Sequence, residues 1–248
     1  MSDNGFLLVG AAAFGLVLGS YAVTAGLRLA DGESATLGRS RCDGCRVSLG
    51  FLQTVPVASY FALRGACRTC GAKIEVLHLI GEIAGAAVLA SAVWVAQPMR
   101  AAALGVLGLT LLAAAAVDAK IQRLPNGLMA VVALCCAVLA LGAGRARILE
   151  GSIAAAATAT VLCGLRVVSQ RLRGDPGLGL GDVKLIVALS LWLGRATPIM
   201  VGVAALLGLL AALVTRQRHG RTAFGPMVAL SAWGVGIVFE KGWSPWAP

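Results

Sequence analysis

Seven charge-free apolar runs recur along the chain, and they constrain its fold more than any other feature. They cover residues 4–27, 83–99, 101–117, 124–144, 151–165, 196–215 and 222–239. Each is near the length of about 20 residues that an α-helix needs to cross a bilayer. Hydrophobic residues make up 58% of the 248 residues and charged residues only 13%, far outside the soluble range. The chain is therefore predicted to be an integral membrane protein and not a soluble protein with buried core helices.

An eighth, shorter apolar stretch covers residues 185–194, between Lys184 and Arg195. It is too short to span alone, but with its flanks it is expected to form one arm of a hairpin whose other arm is 196–215. The first run follows Asp3 and precedes Arg28, which reverses the charge order of a secretory signal and indicates a retained first span. The predicted fold class is an all-α, polytopic membrane helix bundle of about eight transmembrane helices.

The basic residues are distributed unevenly between the two predicted faces. If the amino terminus is outside, the inward segments hold 16 of the 21 lysines and arginines, and the other five are Arg100, Arg145, Arg147, Arg195 and Lys241. The positive-inside rule therefore predicts this orientation. Basic loops beside a membrane attract anionic lipid, so the net charge of +10 is assigned to the lipid bilayer, and no nucleic-acid partner is expected.

Two cysteine pairs lie in the longest polar stretch, which runs from Arg28 to about residue 77. They read Cys42-Asp43-Gly44-Cys45 and Cys67-Arg68-Thr69-Cys70. Two such pairs form a closed tetrahedral zinc site with no open position for water, and a small lobe with few aliphatic residues needs such a cross-link. We expect structural Zn²⁺ in a small cytoplasmic lobe between the first two transmembrane helices. Redox-active dithiols and unliganded thiols remain the alternatives, whereas disulfides are not expected in a reducing cytoplasm.

Two aspartates end apolar segments on the predicted cytoplasmic face. Asp182 closes the turn Gly179-Leu180-Gly181-Asp182, and Asp118 ends the run 101–117. Two close carboxylates cannot both ionise, so one can act as a base on water while the other protonates a carbonyl oxygen. The glycines of the turn are expected to leave room for a substrate backbone.

A simpler interpretation of the two aspartates stays open from the residues alone. They would cap helices, or they would pair with Lys120 and Lys184 at a wet interface. Glu82 is a third acid at a predicted cytoplasmic end, and an ionisable group at membrane depth indicates function. Glu150 and Glu240 lie at predicted outer ends and are interpreted as solvated anchors, and Trp192 as an interface anchor.

The assembled motifs resemble the prepilin peptidases, or type IV leader peptidases, a family of bacterial membrane aspartyl proteases of the Gly-x-Gly-Asp type. The positions that match in family order and spacing extend along nearly the whole chain. They are Gly19-Ser20, Arg28, the two cysteine pairs, Pro56, Leu63-Arg64-Gly65, Glu82, Asp118, Leu124-Pro125-Asn126, Gly179-Leu180-Gly181-Asp182-Val183-Lys184-Leu185 and Phe224-Gly225-Pro226.

This resemblance implies a function at the bacterial cytoplasmic (inner) membrane. Asp118 and Asp182 would be the catalytic residues that cleave short basic leaders from type IV prepilins or type II secretion pseudopilins. Gly179, Gly181 and Lys184 would support the turn or the substrate. Many members also methylate the new amino terminus with S-adenosylmethionine, a task associated with the first cytoplasmic loop. Residues 1–97 would then form the methyltransferase part and residues 98–248 a six-helix peptidase domain, with zinc structural.

The chain departs from the family pattern mostly in its first half. Val23 stands where the family commonly has asparagine, and Leu77, His78 and Leu79 replace an Arg-Tyr-Pro run. Loss of polar groups from a cofactor site would weaken methyl transfer. In the second half, Ser190 stands at a usual glycine and Asn126 at a frequent acid, and neither change affects the aspartates.

A function from another class remains as the alternative. A multi-span membrane transporter or export component would use the aspartates to carry protons and the zinc lobe to dock a partner. A protease would lose all turnover when either aspartate is replaced, whereas a transporter would never cut a prepilin-like substrate.

Overall fold

A computed structural model describes residues 3–34, 40–42, 44–175, 177–215 and 223–242. Within these ranges the chain forms α-helices, two short 3-10 turns and isolated bridges, but no strand. The helices are α1 (Asp3–Ala30), α2 (Ala58–Ala62), α3 (Val76–Val95), α4 (Pro98–Ile121), α5 (Asn126–Gly142), α6 (Arg145–Arg173), α7 (Leu180–Leu193), α8 (Thr197–Thr215) and α9 (Gly225–Glu240).

The predicted all-α membrane architecture is confirmed in its outline. In the described part of the chain, five segments are long and apolar enough to cross a membrane: Gly5–Ala30, Val76–Val95, Pro98–Ile121, Arg145–Arg173 and Leu180–Val214. Two further apolar helices, α5 and α9, are shorter. The last long segment holds both α7 and α8, which are separated by a 3-10 turn at Gly194–Ala196.

Helices α1 and α3 pack through glycines and bury few large side chains. A Cβ on Gly19 would overlap the carbonyl oxygen of Gly81, and one on Gly85 would overlap that of Gly15. Small residues four apart on facing helices permit such close backbone approach in a membrane protein. Val23 is 3% exposed and fills the next position, against Gly81.

The remaining helices enclose a core of large side chains. Fully buried leucines on α4, α5 and α7 meet between these helices, together with residues from α8 and α9. Its largest fully buried members include Leu104, Leu107, Leu139, Leu185, Ile186, Leu189, Leu193 and Met200. This core fixes α4 and α7, the helices that carry Asp118 and Asp182.

Polar contacts divide the helix ends into two groups. At the lobe end, Lys120 in α4 forms an ion pair of 2.7 Å with Asp31, which follows α1. At the opposite end, Arg100 at the start of α4 forms a 2.6 Å ion pair with Glu240 at the end of α9. Four inward basic residues of the predicted orientation, Arg39, Arg216, Arg218 and Arg221, lie outside the described residues.

The interpretation of Glu240 and Trp192 as solvated or interfacial anchors is wrong. The Glu240 side chain is only 8% exposed, and Trp192 is 3% exposed. The indole N–H of Trp192 donates to Oε1 of Glu240 at 2.8 Å, while Arg100 donates to both carboxylate oxygens. These partners satisfy the charge, so the acid can lie within the bundle.

Candidate active site

Asp118 lies in the last turn of α4 and is 5% exposed. Its Oδ2 accepts a 2.8 Å hydrogen bond from the backbone N–H of Gly225, the first residue of α9. Gln122, the residue that follows α4, adopts a left-handed conformation with φ 52° and ends the helix. The carboxylate is therefore held between the end of one helix and the beginning of another.

Asp182 lies in the first turn of α7 and is half-buried. Its carboxylate accepts a hydrogen bond from the backbone N–H of Gly179, the residue before the helix. The preceding loop is fastened to α6, because the Arg166 guanidinium donates to the Leu178 carbonyl and the Ser169 hydroxyl donates to the Asp175 carbonyl. These contacts of Arg166 and Ser169 were not predicted from the sequence, because the basic residues of that segment indicated only on which side of the membrane it lies.

The fold brings the two predicted aspartates to the same end of the bundle. They are close enough for the charge on Asp118 to act on the Asp182 carboxylate. The two lysines offered as alternative partners bond elsewhere: Lys120 pairs with Asp31, and Lys184 donates to Oδ1 of Asn126 at 2.9 Å. Asp182 does accept a hydrogen bond from the backbone N–H at the start of α7. It therefore caps this helix and also lies near Asp118.

Three glycines shape the surroundings of these carboxylates. A Cβ on Gly225 would lie 2.8 Å from Oδ2 of Asp118, and one on Gly179 would lie 2.9 Å from Oδ2 of Asp182. A Cβ on Gly181 would lie 3.2 Å from the side chain of Leu124. Gly179 and Gly225 therefore make room for the carboxylates themselves, a purpose that the sequence did not reveal. Lys184 links α7 to the start of α5 through its hydrogen bond to Asn126.

The four predicted cysteines come together in the lobe. The sulfurs of Cys42, Cys45, Cys67 and Cys70 all lie within 4.8 Å of one another. Cys42 Sγ is 3.8 Å from Cys70 Sγ, and Cys45 Sγ is 4.0 Å from Cys67 Sγ. A tetrahedral zinc ion with Zn–S bonds of about 2.3 Å spaces its sulfurs by about 3.8 Å. The donor set thus fits one tetrahedral metal ion.

The backbone around Cys67 favours its thiolate form. The amides of Cys70 and Thr69 that point at its sulfur lower the pKa of Cys67 to about 6, and the Thr69 contact is 3.5 Å long. The Ala72 amide lowers the pKa of Cys70, but hydrogen bonds with neighbouring sulfurs, that of Cys45 first, raise it to about 11. Gly71 follows with φ +73°, a conformation that glycine adopts readily. A thiolate is the form in which cysteine binds a metal, and in this turn the backbone favours that form at Cys67.

A cavity of about 410 Å³ lies between the lobe and the ends of α1, α3 and α4. Its wall includes charged groups of both signs, the aromatic ring of Tyr60 and the buried carboxylate of Glu82. Ser20, Thr24 and Arg28 line it from α1, whereas Val23 turns toward α3. The family position at which this chain has valine therefore packs against a helix. Leu79 and His78 do line the cavity.

Two family profiles match successive parts of the chain. The Bacterial Peptidase A24 N-terminal domain matches residues 13–96, and the Type IV leader peptidase family matches residues 105–213. The first match covers α1, the lobe and α3, and the second covers both aspartates.

Characterised relatives match across both parts. A "Prepilin leader peptidase/N-methyltransferase" of Neisseria gonorrhoeae is 34% identical over 89% of this chain and 78% of its own length. One of the same name from Burkholderia pseudomallei is 36% identical over 77% of this chain and 64% of its length. A "Type 4 prepilin-like proteins leader peptide-processing enzyme" of Escherichia coli is 32% identical over 79% of this chain and 74% of its length. No solved structure matches the chain.

Proposed function

The chain belongs to the type IV leader peptidase family, and from this premise we propose that it removes the leader peptides of type IV prepilins or type II secretion pseudopilins. The observation that carries the proposal is the meeting of Asp118 and Asp182 at one end of the bundle. The names of the relatives, which join peptidase and N-methyltransferase, support both activities.

In the proposed mechanism the two aspartates share one proton. Asp118 is the more buried and is oriented by the Gly225 amide, while Asp182 is half-buried and reaches solvent more easily. One carboxylate removes a proton from water as the water attacks the scissile carbonyl, and the other, protonated, donates to the carbonyl oxygen. Transfer of a proton to the departing nitrogen then releases the leader and a new amino terminus.

The proposed location is the bacterial cytoplasmic membrane, with about eight spans, the amino terminus outside and the aspartates facing the cytoplasm. The charge asymmetry supports this orientation. The contacts show only which helix ends lie together: the ends of α1 and α4 at Asp31 and Lys120, and Arg100 with Glu240 at the opposite end. The apolar helix of the substrate would lie among the spans, and its basic leader would reach the aspartates.

We assign a structural zinc ion to Cys42, Cys45, Cys67 and Cys70, because their sulfur spacing suits tetrahedral ligation. The site would be closed and remote from the hydrolysis. S-adenosylmethionine, when bound, supplies a methyl group on a sulfonium centre. The cavity beside the lobe fits it in size and in its mixed charges. We therefore assign methyl transfer to residues 1–97 and cleavage to residues 98–248, a division that the two family profiles support.

The proposal is tested by incubating the purified chain with a prepilin and S-adenosylmethionine and weighing the products by mass spectrometry. We expect the leader mass to be lost and one methyl group to be gained. Asp118→Asn and Asp182→Asn should each reduce cleavage by about 10⁴-fold or more, the scale of removing one member of a catalytic unit.

Asp31→Asn is the matched control, because its carboxylate is half-exposed and pairs with Lys120. It should retain cleavage within about 3-fold, as expected for an exposed pair. A chain that leaves prepilin intact, with wild-type folding, would contradict the proposed peptidase and would revive the transporter alternative. Cleavage without an added methyl group would keep the peptidase and remove the methyltransferase.

A further inference from the structure

A buried carboxylate on the wall of the lobe cavity takes no part in the cleavage mechanism. Glu82, in α3, is 8% exposed. The Ser20 hydroxyl donates to its Oε1 at 3.0 Å, and the Val57 N–H donates to its Oε2 at 2.7 Å. Both donors are uncharged, so these bonds orient the carboxylate without neutralising its charge. A negative charge held at the edge of a bilayer is costly and indicates a function.

The backbone is distorted where it meets this carboxylate. Val57 has φ 62° and ψ −55°, and the Ala58 N–H donates to the Pro56 carbonyl at 2.6 Å across it, which closes a γ-turn. A β-branched residue rarely adopts this conformation, so the turn is strained. The turn aims the Val57 amide at Glu82, and the glycine contacts of α1 and α3 bring Ser20 to the same point. Glu82 is thus held by two segments outside its own helix, α1 and the lobe.

The cavity in front of Glu82 reaches the end of α4 that carries Asp118. Lys120, in the same last turn of α4, lies on the cavity wall together with Asp31, whereas Asp118 and Asp182 are not among the lining residues. An amino terminus released at the two aspartates would therefore have to move to this cavity before methyl transfer. The cavity volume of about 410 Å³ is within the range of small-molecule sites, and its polar wall suits charged groups.

We propose that Glu82 binds the α-amino group of the cleaved product and accepts its proton during methyl transfer, an inference that rests on the function proposed above. The Glu82 carboxylate accepts a proton from the bound ammonium, which frees the nitrogen lone pair, and this proton passes to solvent through the cavity. The lone pair then forms a bond to the methyl carbon of a sulfonium donor. The carbon–sulfur bond breaks, and its electron pair stays on sulfur, which leaves as a neutral thioether while the methylated nitrogen carries the positive charge.

The alternative role for Glu82 is structural: its hydrogen bonds to Ser20 and Val57 would hold the lobe against α1. Glutamine distinguishes the two roles, because its amide oxygen can accept from the Val57 N–H and its amide nitrogen can donate to Ser20. Glu82→Gln therefore keeps both contacts and loses only the charge and the capacity to take a proton. His78 lines the same cavity and is the rival proton acceptor, which His78→Asn removes.

The first test uses binding alone, with the methyl donor omitted. A pre-cleaved pilin peptide with a free α-amine and its N-acetylated copy are titrated against the full-length purified chain. The wild-type chain should prefer the free amine by about 10-fold or more, the scale of a hydrogen bond between charged groups. Glu82→Gln should abolish this preference. Glu150→Gln, at a carboxylate that lies outside this cavity and pairs with Arg147 and Arg195, should retain it.

The second test measures cleavage and methylation separately in the same reaction. Glu82→Gln should lower methyl transfer by about 100-fold or more, the contribution of a general base, and leave cleavage within about 3-fold. Equal binding of the two peptides by the wild-type chain would overturn the proposal without any variant. Loss of methylation in His78→Asn but not in Glu82→Gln would overturn it as well. Absence of cleavage in the wild-type chain would instead refute the proposed function.

Discussion

The lobe and the helix bundle of this protein are each stabilised in a different way. In the lobe, the short helix α2 has no buried residue, and four sulfurs within 4.8 Å of one another join its turns. In the bundle, large side chains of α4, α5 and α7 are completely buried. The bundle can thus hold Asp118 and Asp182 through packing, whereas the lobe has the sulfur cluster to which we assign a metal ion. Changes to one region should therefore affect one activity more than the other.

Outside the two aspartates themselves, the largest effect on cleavage should come from a single methyl group added in the bundle. A Cβ in Gly225→Ala would lie 2.8 Å from Oδ2 of Asp118 and 3.0 Å from its Cβ and Cγ, so the carboxylate must move. A misplacement near 1 Å costs about 100-fold in rate. We expect cleavage of prepilin to fall by about that factor, while methylation of a pre-cleaved peptide persists.

Gly234→Ala is the control for this prediction, because it lies on the same helix and has nothing within 4 Å of an added Cβ. It should leave both activities near wild type. Equal cleavage rates for the two glycine variants would show that the Gly225 contact does not position Asp118.

Breaking the lobe should produce the opposite pattern. Cys45→Ser removes one sulfur from the cluster, and because metal binding supplies folding energy in such sites, zinc measured by elemental analysis should fall from about one ion per chain towards none. Methyl transfer should decrease by about 10-fold or more, with cleavage changed much less. Cys163→Ser, at an exposed cysteine on α6, is the control. If Cys45→Ser contained no metal but methylated at the wild-type rate, methyl transfer would not depend on the metal site of the lobe.

An added methyl group at the contact between α1 and α3, the helices on either side of the lobe in the chain, should give an intermediate effect. In Gly85→Ala the new Cβ would overlap the Gly15 carbonyl and lie 2.5 Å from the Gly19 Cα, so α1 and α3 must separate. Overpacking costs about 1–3 kcal/mol, which should lower the thermal midpoint in detergent by several degrees and reduce methylation more than cleavage. Gly10→Ala, with open space around it, should leave the thermal midpoint unchanged. Equal midpoints for Gly85→Ala and Gly10→Ala would argue against packing of α1 and α3 through glycines.

The smallest effect is expected at the ion pair that links the regions on their surface. The side chains of Lys120 and Asp31 are 42% and 51% exposed, and such pairs contribute about 0–1 kcal/mol. Lys120→Ala should therefore change either activity by less than about 5-fold, and less still at high salt. A much larger loss, compared with Lys73→Ala on the same cavity wall, would indicate a direct contact with product.

Local patterns were sufficient to predict the helices and the cysteine cluster. Apolar runs without charges identified the spans, and the paired spacing of Cys42, Cys45, Cys67 and Cys70 predicted their convergence. The meeting of Asp118 and Asp182 followed from charge asymmetry, which assigns span ends to faces. The roles of these residues, and the number of spans, stay predictions.

Contacts between distant segments could not be predicted in this way. The Val57 amide on Glu82 depends on a strained turn 25 residues away, and no local signal announces it. Glu240 looked solvated because it ends an apolar run, whereas its partners Arg100 and Trp192 lie 140 and 48 residues away. Burial of a charged group depends on the partners that the fold supplies.

The contacts of α4 and α9 have a mechanical consequence. The two helices are joined by Arg100 and Glu240 at one end and by Asp118 and Gly225 at the other. With both ends fastened, they form a rigid frame that cannot hinge open without breaking a buried contact. Asp182 is carried by a different helix, and the loop before it is fastened to α6, which lies outside this frame. The spacing of the two aspartates therefore depends on how α6 and α7 pack against α4 and α9.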